Sequence, residues 1–287
     1  MLNNDLSQQI KRNFSYKPTD EQENTLKSFV DFLLLPSEET VFLMKGYAGT
    51  GKTTLTAALV RTLEQLKWKT VLLAPTGRAA KVFSGYAGHP AYTIHKKIYR
   101  QKSFSNETDN FTANQNLHRN TLFIVDEASM IANEGLSGGH FGTGRLLDDL
   151  VQYVYNGMGC RLMLVGDTAQ LPPVGEEESP ALSVSVLQGY GLEVKECMLT
   201  QVVRQIGHSG ILLNATALRT SIMDEAYFEY PKINCKGFSD ICVLPGNELI
   251  ETLNDCYDTV GLDETIVICR SNKRTSLSVS YTHLRAH

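Results

Sequence analysis

With 287 residues and 42% hydrophobic content, the chain can fill one large globular domain or two modest ones. A net charge of −4 gives no global case for a polyanionic partner, so any such contact must come from a local basic strip. No apolar run approaches the roughly 20 residues of a membrane span. The N-terminus has no basic-then-apolar signal layout, and the six cysteines form no C-x-x-C pair and read as reduced cytosolic thiols.

Residues 1–18 are polar and read as a loose lead-in. Thr19-Asp20-Glu21-Gln22 then opens a helix with the T-x-x-Q spacing of a capping box. Leu26, Phe29, Val30, Leu33 and Leu34 are its candidate buried face, and Pro36 follows its end. Val41-Phe42-Leu43-Met44 is a continuous apolar run, the pattern of a buried parallel strand.

Gly46-Tyr47-Ala48-Gly49-Thr50-Gly51-Lys52-Thr53 follows, and it fits the phosphate-loop pattern G-x-x-x-x-G-K-[ST] at every fixed position. Its glycines let backbone N–H groups curl inward toward phosphate oxygens. Lys52 offers a point charge to the β- and γ-phosphates, and the Thr53 hydroxyl suits Mg²⁺. Thr54 completes the cofactor-binding stretch. Leu55, Ala58, Leu59, Leu63 and Leu66 then recur at helical spacing, so the positive end of a helix dipole points at the phosphates.

A second strand, Val71-Leu72-Leu73-Ala74, ends in Pro75-Thr76-Gly77-Arg78-Ala79-Ala80-Lys81, a turn into another helix. Ligands gather at the carboxyl ends of parallel strands, so Arg78 and Lys81 either meet a polyanion or are two solvated charges. From Thr93 through His95, Lys96, Lys97, Tyr99, Arg100 and Lys102 the chain carries four Lys/Arg cations and no acid. Such a strip can track phosphates, with the tyrosine as a stacking residue. Residues 103–120 are polar and asparagine-rich, with Phe104 and Phe111 among them. They suit an inserted hairpin over 103–117 or a plain surface loop.

Leu122-Phe123-Ile124-Val125 is a third apolar strand, ending in Asp126-Glu127. With a phosphate loop in the same chain, Asp126 can hold Mg²⁺ and Glu127 can deprotonate the attacking water; otherwise the pair caps a helix. Five glycines fall within 132–144, expected to be mobile, and Leu146, Leu147, Leu150, Val151 and Val154 mark the next helix. Leu162-Met163-Leu164-Val165 is the fourth strand, and after it Gly166-Asp167 leads through Gln170, Pro172 and Pro173 to Gly175. Gln170 can both donate and accept, which suits a γ-phosphate sensor as well as a turn residue facing water. Leu199-Thr200-Gln201-Val202-Val203 reads as a short strand leading to Arg204, and Ile211, Ala215, Leu218 and Ile222 as the face of a helix. Ile241-Cys242-Val243-Leu244, a helix over 248–260 and Thr265-Ile266-Val267-Ile268-Cys269 read as one βαβ unit.

Taken in order, the phosphate loop, Ala74-Pro75-Thr76-Gly77-Arg78-Ala79-Ala80, Val125-Asp126-Glu127-Ala128-Ser129, the 166–175 segment and Val203-Arg204-Gln205 resemble the RecD-like DNA helicases, superfamily 1 motors of the 5′-to-3′ type. The likeness spans roughly 14–274. It implies an α/β fold: a RecA-like P-loop NTPase domain over 19–230, a parallel sheet flanked by helices, and the beginning of a second α/β lobe over 235–274. Residues 275–287 fit no expected element and read as a non-native tail on a truncated chain. ATP and Mg²⁺ are the implied cofactors, and single-stranded DNA or a duplex/single-strand junction the implied partner. Gln22 resembles the glutamine that reads the adenine edge, against its capping reading. Lys52, Thr53, Asp126 and Glu127 match the hydrolytic residues, Gln170 the sensor, and Arg204 an arginine that reaches the γ-phosphate. Thr76, Arg78 and Thr93 to His95 fall in segments that contact the strand's backbone, beside the basic Lys96, Lys97 and Arg100. The family's second lobe is present only as a stub, so the resemblance implies slow turnover and no unwinding by this chain alone. Two rival readings remain: an ATP-responsive DNA-binding module with little turnover, and another P-loop phosphotransferase.

Overall fold

The computed structural model describes residues 2–14, 16–35, 39–101, 111–134, 141–203, 209–223, 230–262 and 264–269. They belong to two compact units, Met1–Gln205 and Ile206–His287. Arg204, Lys102, most of the candidate hairpin (103–110), residues 135–140 of the glycine-rich stretch and the 275–287 tail lie outside the described residues.

The first unit is a parallel sheet of six strands flanked by helices on both faces. Its strands are β1 (Thr40–Gly46), β2 (Lys69–Ala74), β3 (Ala91–Thr93), β6 (Thr121–Val125), β7 (Arg161–Gly166) and β8 (Glu193–Leu199), in the order β3-β2-β6-β7-β1-β8. Between β3 and β6 lies a small antiparallel pair, β4 (Tyr99–Gln101) and β5 (Phe111–Ala113). Side chains alternate across the strands, so each apolar run feeds two cores. Val41, Leu43, Leu73, Phe123 and Leu164 face α6 (Leu146–Tyr155) and α5 (Ile94–Ile98). Phe42, Met44, Leu72, Ile124 and Val165 face α2 (Asp20–Leu34), α3 (Lys52–Gln65) and α4 (Gly77–Ala87).

Sequence periodicity locates these helices with small errors of face. In α2 the buried set includes Phe32, whose ring centroid is 5.4 Å from that of Phe42, while Leu34 is exposed. Leu66 caps α3 and is likewise exposed. Residues 2–13 are not a loose lead-in: they form α1 (Leu2–Asn13). Ile10 at its last turn and Phe14 just beyond it are buried with the second core. Asn13 fixes the end of α1 by donating to Thr62 Oγ1 and Gln65 Oε1, both at 2.9 Å.

The expected strand over 199–203 lies earlier, at β8. That strand pairs on one side only, with β1. Its Glu193, Lys195 and Glu196 break the apolar run, as edge strands commonly do. Residues 200–203 instead form an arm without regular secondary structure, tied down by Thr200 N and Gln201 N donating to Glu21 Oε2 at 2.7 and 2.9 Å.

In the second unit, α8 (Gly210–Met223) and α9 (Leu249–Thr259) form, with a short α7 (Val184–Gly189) preceding them in the first unit. Asp240 caps α8 through Ser209 Oγ and Gly210 N, both at 2.8 Å. The side chain of Asn214 holds Asn234 by N at 2.7 Å and O at 2.8 Å. Of the stripe expected to be buried, Ile211, Ala215 and Ile222 are exposed, whereas Leu212 and Asn214 point inward. No strand forms at 241–244 or 265–268 among the described residues. Val243, Ile266 and Ile268 are exposed there, and a strand has no stability without a neighbouring ladder to pair with. No helix among the described residues is long and apolar enough to cross a membrane.

Candidate nucleotide site

The strand order reverses around β1: the chain moves out through β2 and β3, returns through β6 and β7, then crosses to β8 on the far side of β1. Such a switch point opens a crevice at the carboxyl ends of the strands. The phosphate loop leaves β1 at that end and enters α3. Gly49 and Gly51 take φ of +81° and +84°, where a side chain is strained, and a Cβ on Gly51 would come within 2.6 Å of Gln22 Nε2.

Loop, acids and sensor converge on one cleft of about 960 Å³. Lys52 Nζ donates to the carbonyls of Gly46 (2.7 Å) and Tyr47 (3.0 Å), folded back over its own loop. Burial holds the Lys52 ammonium below its ordinary pKa, opposed by the charges of Asp167, Glu127 and Asp126. Thr53, Thr54, Asp126, Glu127 and Gln170 all line the same cleft. Glu127 has φ +54° and ψ +38°, a left-handed conformation that costs a non-glycine residue roughly 1–3 kcal/mol and is concentrated at functional sites. This turn begins directly after β6, and within it Asp126 Oδ1 accepts from Glu127 N at 3.0 Å.

Two contributors carry no role in the sequence reading. Asp167, at the end of β7, is 3% exposed and lies 3.6 Å from Lys52 Nζ. Its other carboxylate oxygen accepts from Ala169 N at 2.9 Å. Its signal was the one used for Asp126, a carboxylate at the end of an apolar parallel strand. Ser129, fully buried, donates to Gln170 Oε1 at 2.8 Å and so links the β6 acids to the sensor segment. Gln22 does make its capping box, accepting from Thr19 N at 3.0 Å. Its Nε2 donates to Thr50 O at 2.9 Å. Those two bonds use one N–H and one lone pair of the amide and leave one of each. The 200–203 arm joins the loop too, with Val203 N donating to Gly49 O at 3.0 Å; Arg204, one residue on, lies outside the described residues.

Burial, with Glu127 alongside, pushes Asp126 up to about 6. The folded chain therefore binds more protons than the unfolded one between about pH 4 and 6, so this group's contribution to stability falls as pH rises through that window. Without divalent cation, Asp126→Asn should be more stable than the parent at pH 7.5 by up to about 3 kcal/mol, with no difference below about pH 4. Denaturant unfolding at both pH values checks this, and an equal difference at the two would refute it.

The polyanion candidates fall into two groups. Thr76 and Thr93, at the carboxyl ends of β2 and β3, are N-caps: their hydroxyls accept from Ala79 N and Lys96 N, both at 3.2 Å. Arg78 is exposed beside Thr76. His95 packs into an aromatic cluster, its ring centroid 5.1 Å from that of Phe141 and 5.7 Å from that of Tyr99, and burial lowers its pKa. Lys96, Lys97 and Arg100 line a separate cleft of about 500 Å³.

A family model described as an AAA domain matches residues 19–230. The chain belongs to this family. Part of it is similar in sequence to a protein that carries a helicase name. It is 32% identical over 177 residues to the ATP-dependent RecD2 DNA helicase of Deinococcus radiodurans, a match covering 61% of this chain and 21% of that one. It is 27% identical over 198 residues to the multifunctional conjugation protein TraI of Escherichia coli, covering 61% and 11%. The chain thus spans about a fifth or less of the length of these two relatives. Among solved structures, the Pif1 helicase of Candida albicans aligns at 17% identity and TM-score 0.47, covering 85% of this chain and 55% of that one. Pif1 from Bacteroides, in complex with ADP-AlF3 and ssDNA, aligns at 19% identity and TM-score 0.41, covering 88% and 59%.

Proposed function

We propose that this AAA domain is the ATP-hydrolysing motor portion of a DNA helicase of the 5′-to-3′ type, coupling hydrolysis to movement on single-stranded DNA. The observation that carries the reading is the meeting of Lys52, Asp126, Glu127 and Asp167 in one cleft at the strand ends. On this account Lys52 leaves the Gly46 and Tyr47 carbonyls and turns its charge to the β- and γ-phosphates. Glu127 orients and deprotonates the attacking water. Gln170, tied to Ser129, senses the γ-phosphate, and Arg204 reaches toward it. Thr53 and Asp126 offer hard oxygen donors of the kind Mg²⁺ takes, and a buried carboxylate of raised pKa gains from a cation beside it. Mg²⁺ bound there neutralises charge on the phosphates. Thr76, Arg78, Thr93 and His95 lie along the strand-end path we assign to the DNA backbone, with residues 103–117 as the segment for a strand-separating hairpin.

The test is whether single-stranded DNA speeds ATP hydrolysis by this chain. A motor accelerates on DNA. Hydrolysis indifferent to DNA would favour a phosphotransferase, and DNA binding with no hydrolysis an ATP-responsive switch.

A further inference from the structure

Lys96, Lys97 and Arg100 are adjacent in sequence to Thr93 and His95, yet the fold carries them away from the strand ends. After Thr93 the five residues of α5 pack against α6, and Tyr99, the first residue of β4, donates to Asp149 of α6 at 2.7 Å. Asn116 then donates to the carbonyls of Tyr153 (2.9 Å) and Val154 (3.2 Å), in the last turn of α6. The chain next enters β6 at Thr121, whose register partner is Lys69, the first residue of β2. His118 lies just before that entry, burial and then the charges of Lys97 and Lys69 lowering its pKa. The cleft of Lys96, Lys97 and Arg100 therefore opens where the strands begin. Asp126 stands at the other end of β6, roughly 16 Å away along five residues of strand.

The lining of this cleft is cationic or neutral. Asn114, Gln115 and His118 stand beside the three cations, and among the described residues no carboxylate lines the cleft. Some surface cations of the first unit sit against a carboxylate, as in Lys11–Glu23, Arg145–Asp148 and Lys195–Glu193. Among the described residues, none of the ion pairs involves Lys96, Lys97 or Arg100. Lys97 instead holds its ammonium 5.6 Å from the centroid of the Tyr92 ring, a contact that supplies no counter-charge. Three cations with no carboxylate partner among the described residues, flanked by amide and imidazole groups, suit phosphodiester oxygens.

The geometry points to a second DNA-backbone site on this cleft, taking a segment other than the one at the strand ends: the duplex arm of a junction. The inference rests on the DNA-motor reading and divides its contacts in two. A single strand of about six nucleotides, within the span of one such track, fills the strand-end path alone. A junction carrying a duplex arm reaches both.

The experiment compares the parent chain, Lys96→Ala/Lys97→Ala/Arg100→Ala and Arg78→Ala on both ligands, by fluorescence anisotropy across a salt series. The triple variant should bind the short strand like the parent and the junction at least tenfold more weakly. Its junction salt slope should be shallower by about 2.7, three contacts at about 0.9 each on duplex. Arg78→Ala should weaken both ligands. Equal losses on the short strand and the junction would mean one continuous track and overturn the proposal. No loss on either, with the parent binding both, would also overturn it and leave the face to solvent or an acidic protein partner. Failure of the parent to bind either ligand would remove the DNA reading itself.

Discussion

Lys52→Ala is expected to lower ATP hydrolysis by about 10²–10³, the scale for deleting one preorganised group that meets developing charge. It should also weaken nucleotide binding, because on the proposed reading the ammonium meets the phosphates before as well as during transfer. The protein should still fold. Lys52 Nζ donates to two loop carbonyls on the wall of an open cleft, and it packs no apolar core, though Asp167, Glu127 and Asp126 all lose a nearby cation. A variant with parent-like affinity would place the phosphates elsewhere.

Glu127→Gln should separate the two functions. The change removes a base of the kind that contributes about 10²–10⁴ in rate, keeps the shape of the side chain, and leaves Thr53 and Asp126 in place. Binding should stay within a few-fold of the parent while turnover collapses. The left-handed backbone at this position sharpens the argument. That strain is tolerated in the native sequence, and a glutamine inherits it unchanged, so lost activity reports the carboxylate and not the fold. Hydrolysis at the parent rate would assign the base to another group, with Asp167 the first candidate.

Much of this site was legible in the sequence because its physics is local. A phosphate loop needs glycines and a lysine at fixed spacing, and buried parallel strands read as unbroken apolar runs. The four central strands and the acids at their ends follow from that. What escaped were features decided by neighbours. β8 is an edge strand whose charged residues disguise it. In α1 and just beyond it, Leu6, Ile10 and Phe14 are spaced four apart, but the intervening residues are polar enough to read as a lead-in. The apolar segments at 241–244 and 265–268 have strand composition and no ladder to join. The basic stretch from Thr93 looked like one strip, and only the fold shows it turning down the side of α6. Asp167 was visible as a letter, yet its place 3.6 Å from Lys52 depends on β7 lying next to β1.

The most direct test of the central claim is a calorimetric titration of ATP with Mg²⁺ into the 287-residue chain, its Lys52→Ala variant and its Glu127→Gln variant. The account predicts one nucleotide bound per chain by the parent and by Glu127→Gln with closely similar affinity, and markedly weaker binding by Lys52→Ala. Equal binding by all three, or none by the parent, would contradict it.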